Sequence, residues 1–241
     1  LKYRHLFFDL DGTLWDLRRN TREALQQITS SMPELFNGVG FETFYASYQL
    51  RNHEVWELYR QGDIAKEELR VVRFSRALND CGIPADAKAV ERIASAFLDI
   101  CPRQPHLLPG ARELLNHVQG RYDLNIITNG FQEVQGIKMA AAKIGGYFNH
   151  IVFSEEAGVR KPHKGIFDLA FSLSGAHPSE SLMIGDDWQA DIIGARNAGM
   201  DQAYLTGTES GTPQDPSLNG ATINGTSTYT FDLPSELIPI L

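Results

Sequence analysis

Two aspartates set two residues apart, Asp9 and Asp11, close the apolar run His5-Leu6-Phe7-Phe8 and are followed at once by Gly12-Thr13. Residues i and i+2 of a strand point to the same side, so an extended run ending this way presents two carboxylates together. Neighbouring carboxylates repel, and the pair needs a cation or a proton on one member. Three further polar groups resemble this one in placement. Thr128-Asn129-Gly130 follows Ile126-Ile127, Lys161-Pro162 precedes a helical stretch, and Asp186-Asp187 follows Ser181 to Gly185 with Asp191 beyond. Taken singly, each has an ordinary reading as a helix cap, a turn or a solvated lysine. At successive strand ends of one parallel sheet they share a rim, and that rim is where open α/β sheets hold ligands.

The chemistry these groups suit is phosphoryl transfer. Asp9 and Asp186 supply hard oxygen ligands for Mg2+, whose other positions go to water and phosphate. Lys161, the Thr128 hydroxyl and backbone N–H groups can neutralise phosphate charge. One aspartate of the opening pair can attack phosphorus, and its neighbour can protonate the leaving oxygen and then activate water.

The elements that must position them are legible in the pattern of apolar residues. A strand runs to about Asp9, and Leu10 to Asp16 turns. From about Asn20 to Cys101 the chain reads as helix: Phe41, Phe44, Tyr45, Tyr48, Val55, Trp56 and Tyr59 recur at three- and four-residue steps, as do Val90, Ile93, Ala94, Phe97 and Leu98. Gly62-Asp63 and Gly82-Ile83-Pro84 punctuate it. This stretch of about 80 residues is longer than a crossover helix needs, so it reads as a helical module inserted after the first strand. Strands and helices then alternate. Helices are expected from Pro109-Gly110 to Gln119, over Gln132 to Ile144, from Pro162 to Gly175 and over Gln189 to Ala198. Strands are expected over Leu124–Thr128, His150–Ser154, Ser181–Gly185 and Ala203–Leu205. That alternation predicts a doubly wound parallel sheet. Thr206 to Thr226 is rich in small polar residues and reads as a surface loop, ahead of a short closing strand and helix.

Composition narrows the partners. The chain has 241 residues, 42% hydrophobic, and a formal charge of −8 without a basic run. Nucleic acid and acidic membrane surfaces are disfavoured as partners, and no segment is long enough to span a bilayer. Cys81 and Cys101 lack a zinc-type or disulfide spacing, and Leu6 to Leu10 is too short for a signal peptide. The expectation is a cytoplasmic protein with reduced thiols, a monomer or weak homo-oligomer.

The four groups, in this order, resemble motifs I to IV of the haloacid dehalogenase-like hydrolase superfamily: Asp9-Leu10-Asp11-Gly12-Thr13, Ile127-Thr128-Asn129-Gly130, Gly158-Val159-Arg160-Lys161-Pro162 and Gly185-Asp186-Asp187 with Asp191-Ile192. The resemblance implies a Rossmann-like core, residues 1–16 and 103–241, with an inserted helical (C1-type) cap at 17–102. It implies Asp9 as nucleophile and Mg2+ ligand, and Asp11 as general acid/base lending its backbone carbonyl to the metal. Thr128, with Gly12, Asn129 and Gly130, would bind phosphate; Lys161 would hold nucleophile and phosphate; Asp186 would be the second metal carboxylate. Many relatives carry Ser, Thr or Asn where Asp187 stands; Asp187 could meet the metal through water or cap the helix that starts near Trp188, and the cap is favoured. Asp191 supports the site from behind, pairing with Lys161.

Narrower stretches, Ile126 to Phe131, Ser154 to Val159, and Trp56 to Gly62 with Glu67 to Arg70, are similar to a bacterial branch of pyrimidine 5′-nucleotidases. The expected function is a Mg2+-dependent phosphatase acting on a small phosphomonoester, foremost a nucleoside 5′-monophosphate. A sugar-phosphate phosphatase and a phosphomutase are the alternatives on the same scaffold. A 2-haloacid dehalogenase does not need Asp11, because no leaving oxygen takes a proton. A regulatory protein would have lost one of Asp9, Asp11, Lys161 or Asp186. In the cap the resemblance implies, Trp56, Tyr59 and Arg60 could stack on or hydrogen-bond a base and sugar, although helix packing accounts for the two aromatic residues.

Overall fold

Runs of β-branched and aromatic residues bounded by turn residues form the strands of a mostly parallel sheet. The computed structural model describes residues 2–206, 222–223 and 225–241. Its strands are β1 (His5–Phe8), β2 (Asp123–Thr128), β3 (His150–Phe153), β4 (Ser181–Gly185), β5 (Asp201–Leu205), β6 (Thr222–Ile223) and β7 (Thr226–Phe231). They lie in the order β3-β2-β1-β4-β5-β7-β6, parallel except for the β6–β7 pair. The chain winds outward from β1 through β2 and β3, then returns to build β4 and β5 on the other side. This is a Rossmann-like α/β fold. The strand order reverses around β1, where doubly wound sheets bind their ligands.

Register decides which groups meet. Phe8 pairs with Ile126 on one side and Ile184 on the other, and Asp9 N–H extends the ladder to the Ile184 carbonyl at 2.9 Å. Asp9 is thereby level with Ile127 and Gly185, one step short of Thr128 and Asp186. On one face Phe7, Ile127, Val152 and Met183 pack with Ile166, Phe167 and Ala170 of one helix and Ala195 of another. Leu6, Phe8, Ile126 and Ile184 alternate with them along the strands and are equally buried, as expected of a sheet covered on both faces.

The helices flanking this sheet are α5 (Ala111–Val118), α6 (Gln132–Ala141), α7 (Ser154–Ala157), α8 (Lys164–Ser174) and α9 (Gly194–Asn197). Two differ from the sequence reading. Pro162 lies in a turn, and α8 starts two residues later behind His163, whose Nδ1 accepts from Gly165 N–H at 3.1 Å. Trp188–Ile193 is π-helical before it tightens into α9; periodicity alone cannot separate that winding from an ordinary helix. The expected Thr206–Thr226 loop falls for the most part outside the described residues.

Contacts divide the chain into two units, Leu1–Leu17 with Pro105–Leu241, and Arg18–Gln104. The second holds α2 (Phe41–Gln61), α3 (Lys66–Asp80), α4 (Ala87–Ile100) and most of α1 (Leu17–Ser31). Gly62 ends α2 with φ +85°, and Asp86 caps α4 by accepting from Ala89 N–H at 2.8 Å. Tyr48, Phe74 and Phe97 from three helices meet at ring separations of 5.2–5.7 Å, giving this unit its own core. Among the described residues no helix is long and apolar enough to cross a membrane.

Gly194 is where α8 and α9 touch. A Cβ there would lie 2.8 Å from the Phe167 ring and 3.0 Å from the Pro162 Cα. Glycine to alanine inside a helix ordinarily gains up to about 1 kcal/mol. Gly194→Ala should instead lose about 1–3 kcal/mol through overpacking, read as a lower urea midpoint; a higher midpoint would show that the two helices can part.

Candidate active site

Lys161 is the pivot of the strand-end cluster. Its ammonium donates to Asp9 Oδ1 at 2.7 Å, Asp191 Oδ1 at 2.6 Å and the Ile127 carbonyl at 2.7 Å. These are all three of its donors, so its position is fixed from three directions. Asn129 holds the backbone on either side: its Oδ1 accepts from Lys161 N–H at 2.8 Å, and its Nδ2 donates to the Lys161 carbonyl at 3.1 Å. The Asn129 side chain therefore staples the end of β2 to the Lys161 turn.

Asp186 and Asp191 arrive from the loop after β4. Asp187 accepts from Gln189 and Ala190 N–H groups through Oδ1 at 3.0 and 2.8 Å, so it caps the helix that follows. The π-helical turn places Asp191 back under the strand end, where its Oδ2 accepts from Asp187 N–H at 3.0 Å. Asp186 Oδ1 accepts from the Thr13 hydroxyl at 2.9 Å. The loop after β1 closes tightly against Asp186: Gly12 has φ +88°, and a Cβ there would sit 2.4 Å from Asp186 Oδ2. Only glycine meets both demands.

Asp9, Asp186, Asp191 and Lys161 are exposed by 8%, 4%, 1% and 3%. Three carboxylates against one ammonium leave two formal negative charges in a place with little water. Burial raises the Asp9 carboxyl above the ordinary range, with Lys161 opposing the rise and Asp191 and Asp11 adding to it. Burial raises Asp191 in the same way, Lys161 opposing and Asp186 adding. For Lys161 burial works in the other direction, yet Asp191 and Asp9 outweigh it and its pKa is raised. The Asp9 and Asp191 carboxyls are thus strained toward protonation while the ammonium is held charged.

A divalent cation would relieve that excess. One carboxylate oxygen from each of Asp9, Asp186 and Asp191 lies within 4.8 Å of the others, an all-oxygen donor set that suits a hard ion. Within the set, Asp191 has both oxygens engaged, by Lys161 and by Asp187 N–H. Asp9 Oδ2 has no hydrogen-bond partner among the described residues. The donors fit Mg2+, with Asp9 and Asp186 the better placed.

The remaining expected residues divide between that cluster and its flank. Thr128 Oγ1 accepts from Gly130 N–H at 3.0 Å and from Gln135 Nε2 at 2.7 Å. With its acceptor positions filled, the hydroxyl proton is left to donate to a ligand oxygen. The Asp11 side chain turns to α6: Lys138 Nζ is 2.6 and 2.9 Å from its two oxygens, and Gln135 Nε2 is 2.9 Å from Oδ2. Sequence reasoning missed Gln135, Lys138 and Thr13. The only signal for the first two was a pair of long polar residues three apart on a helix, which reads as a solvated face. In the helical unit Tyr59 is buried and meets Trp56 edge to face at 5.7 Å, and Arg60 pairs with Glu57.

Residues 3–199 match the model of the haloacid dehalogenase-like hydrolase family. The pyrimidine 5′-nucleotidase YjjG of Escherichia coli is 34% identical over 207 residues, 85% of this chain and 87% of its own. The pyrimidine 5′-nucleotidase PynA of Streptococcus pneumoniae is 32% identical over 84% of this chain and 83% of its own. A magnesium-bound crystal structure of the HAD-hydrolase YfnB from Bacillus subtilis superposes with a TM-score of 0.83 at 25% identity, covering 100% of this chain and 99% of that one.

Saturating Mg2+ should raise the thermal unfolding midpoint by about 5 °C, since an ion bound only by the folded state stabilises it by mass action. Calorimetry with and without Mg2+ checks this. The shift should vanish in the Asp9→Asn/Asp186→Asn double variant, and an unchanged midpoint in the natural protein would remove the cation from this site.

Proposed function

The chain belongs to the haloacid dehalogenase-like hydrolase family and is a phosphoric monoester hydrolase; from that premise we propose that it cleaves a nucleoside 5′-monophosphate with the help of Mg2+, through an aspartyl-phosphate on Asp9. The observation that carries the reading is the division of labour between the two opening aspartates. Asp9 lies against Lys161 at 2.7 Å, in the buried cluster. Asp11 lies against Lys138 and Gln135, outside it. Each faces a lysine, but Asp9 shares its buried cluster with two further carboxylates, which suits a nucleophile and metal ligand, whereas Asp11 stands outside that cluster with a more exposed side chain, which suits a group that must exchange protons.

In the first half-reaction an Asp9 oxygen bonds to phosphorus as the bond to the leaving oxygen breaks, and Asp11 gives its proton to that oxygen. In the second, Asp11 takes a proton from water as the water oxygen bonds to phosphorus and the Asp9–phosphorus bond breaks. Thr128 donates its hydroxyl to a phosphoryl oxygen. Lys161 keeps Asp9 oriented and offsets its charge. Asp9 and Asp186 would hold Mg2+, with the Asp11 backbone carbonyl as the family resemblance implies, and the ion would supply charge neutralisation at the phosphoryl group.

Asp11 also weighs against a dehalogenase, where a departing halide takes no proton. The helical unit Arg18–Gln104 is the part of the chain we assign, as a cap, to the choice of leaving group. The nucleotide reading rests on the similarity to YjjG and PynA.

Asp9→Asn should lower phosphate release by at least about 1,000-fold, as losing a nucleophile acting within its catalytic group does, with the folded structure retained by circular dichroism; undiminished turnover would sink the nucleophile. A phosphate-release screen across nucleoside 5′-monophosphates and sugar phosphates decides the substrate. The expected outcome is a kcat/KM at least about tenfold higher for a pyrimidine nucleotide, about 1.4 kcal/mol of discrimination; a preference for sugar phosphates would replace the nucleotidase reading.

A further inference from the structure

Helix α6 carries two side chains that none of the four strand-end motifs contains. Gln135 and Lys138 are three residues apart, on one helix face, and both are buried. Lys138 Nζ reaches both Asp11 oxygens, at 2.6 and 2.9 Å, while lying 4.6 Å above the centre of the buried Trp15 ring. Gln135 Nε2 donates to Asp11 Oδ2 at 2.9 Å and to Thr128 Oγ1 at 2.7 Å. Its amide oxygen is buried with no partner among the described residues, so those two donated bonds are what orient the amide. Gly130 leaves the room: a Cβ there would come within 2.1 Å of Gln135 Nε2. One helix thus grips the acid/base aspartate and ties it to the phosphate-binding hydroxyl.

We propose that Lys138 and Gln135 are positioning residues that aim the Asp11 carboxyl at the leaving oxygen, and that the proton passes through Asp11 Oδ1. A carboxylate oxygen has two acceptor positions. Among the described residues both are filled on Oδ2, by Gln135 and by Lys138, and only one on Oδ1, by Lys138. The open position on Oδ1 is the one that can carry and release a proton. Without the two donors the short Asp11 side chain is free to change rotamer, and a proton donor displaced by about 1 Å loses much of its effect. This inference rests on Asp11 acting as the acid, as set out above.

Leaving-group dependence provides the test. A nitrophenolate departs without needing a proton, whereas an alkoxide, such as the 5′-oxygen of a nucleoside, requires one. With Mg2+ present, kcat and KM are measured for 4-nitrophenyl phosphate and for a nucleoside 5′-monophosphate in the natural protein and in Lys138→Met, Lys138→Arg and Gln135→Leu. Lys138→Met should lose about 100-fold in kcat on the alkyl ester and only a few-fold on the aryl ester, with KM little changed. Lys138→Arg should recover most of the loss, and Gln135→Leu should show the same skew more weakly. Equal losses on both esters, in any variant that keeps its unfolding midpoint, would overturn the proposal and make the pair structural. If Lys138→Met does not fold, the skew in Gln135→Leu decides alone. A natural protein that hydrolyses neither ester overturns the phosphatase reading itself, an outcome distinct from equal losses.

Discussion

The buried ammonium of Lys161, fixed by Asp9, Asp191 and a strand carbonyl, is the constraint on which this site depends. Moving an ion from water into a protein interior costs several kcal/mol unless partners replace its hydration. Here the three replacement partners come from different parts of the chain: the end of β1, the end of β2 and the turn after β4. The ion pair therefore also fixes the spacing between those strand ends. Removing the lysine would leave two carboxylates facing each other in low dielectric, so its role in assembling the site cannot be separated from its role in charge balance.

That constraint explains much of the surrounding detail. Asn129 clamps the Lys161 backbone because a misplaced turn would withdraw the ammonium. Asp187 caps the helix ahead of Asp191, and the π-helical winding brings Asp191 back to the lysine. Gly12 allows the loop after β1 to approach Asp186, where Thr13 donates to the same carboxylate. These contacts serve the two formal negative charges left over in the cluster, and an oxygen-ligated divalent ion fits them. Asp11 is arranged on different terms: its partners are donors on a helix, outside the cluster, so two aspartates two residues apart sit in different surroundings.

Much of this was legible in the chain. The i, i+2 aspartates after an apolar run, and three further polar groups at strand ends, predicted one rim with Asp9, Lys161 and Asp186 on it; register and strand order bring those three together. The strands were legible because a buried parallel strand needs an unbroken apolar run, and such runs are rare elsewhere. Element ends were less so. Pro162 looked like a first-turn proline but lies in a turn, and Trp188–Ile193 winds as a π-helix, because both are decided by contacts distant in sequence.

By itself, the sequence determined which polar residue types stand at the strand ends, the order of strands and helices, and a helical stretch after the first strand. Those follow from local periodicity and from residues adjacent in the chain. Only the tertiary structure decided that Lys138 and Gln135 grip Asp11, 127 and 124 residues away, and that Asn129 holds the Lys161 backbone rather than pointing into open space. A polar side chain on a helix carries no mark of its partner. Its meaning is set by which strand end the fold carries it to, and that is fixed by packing the whole sheet.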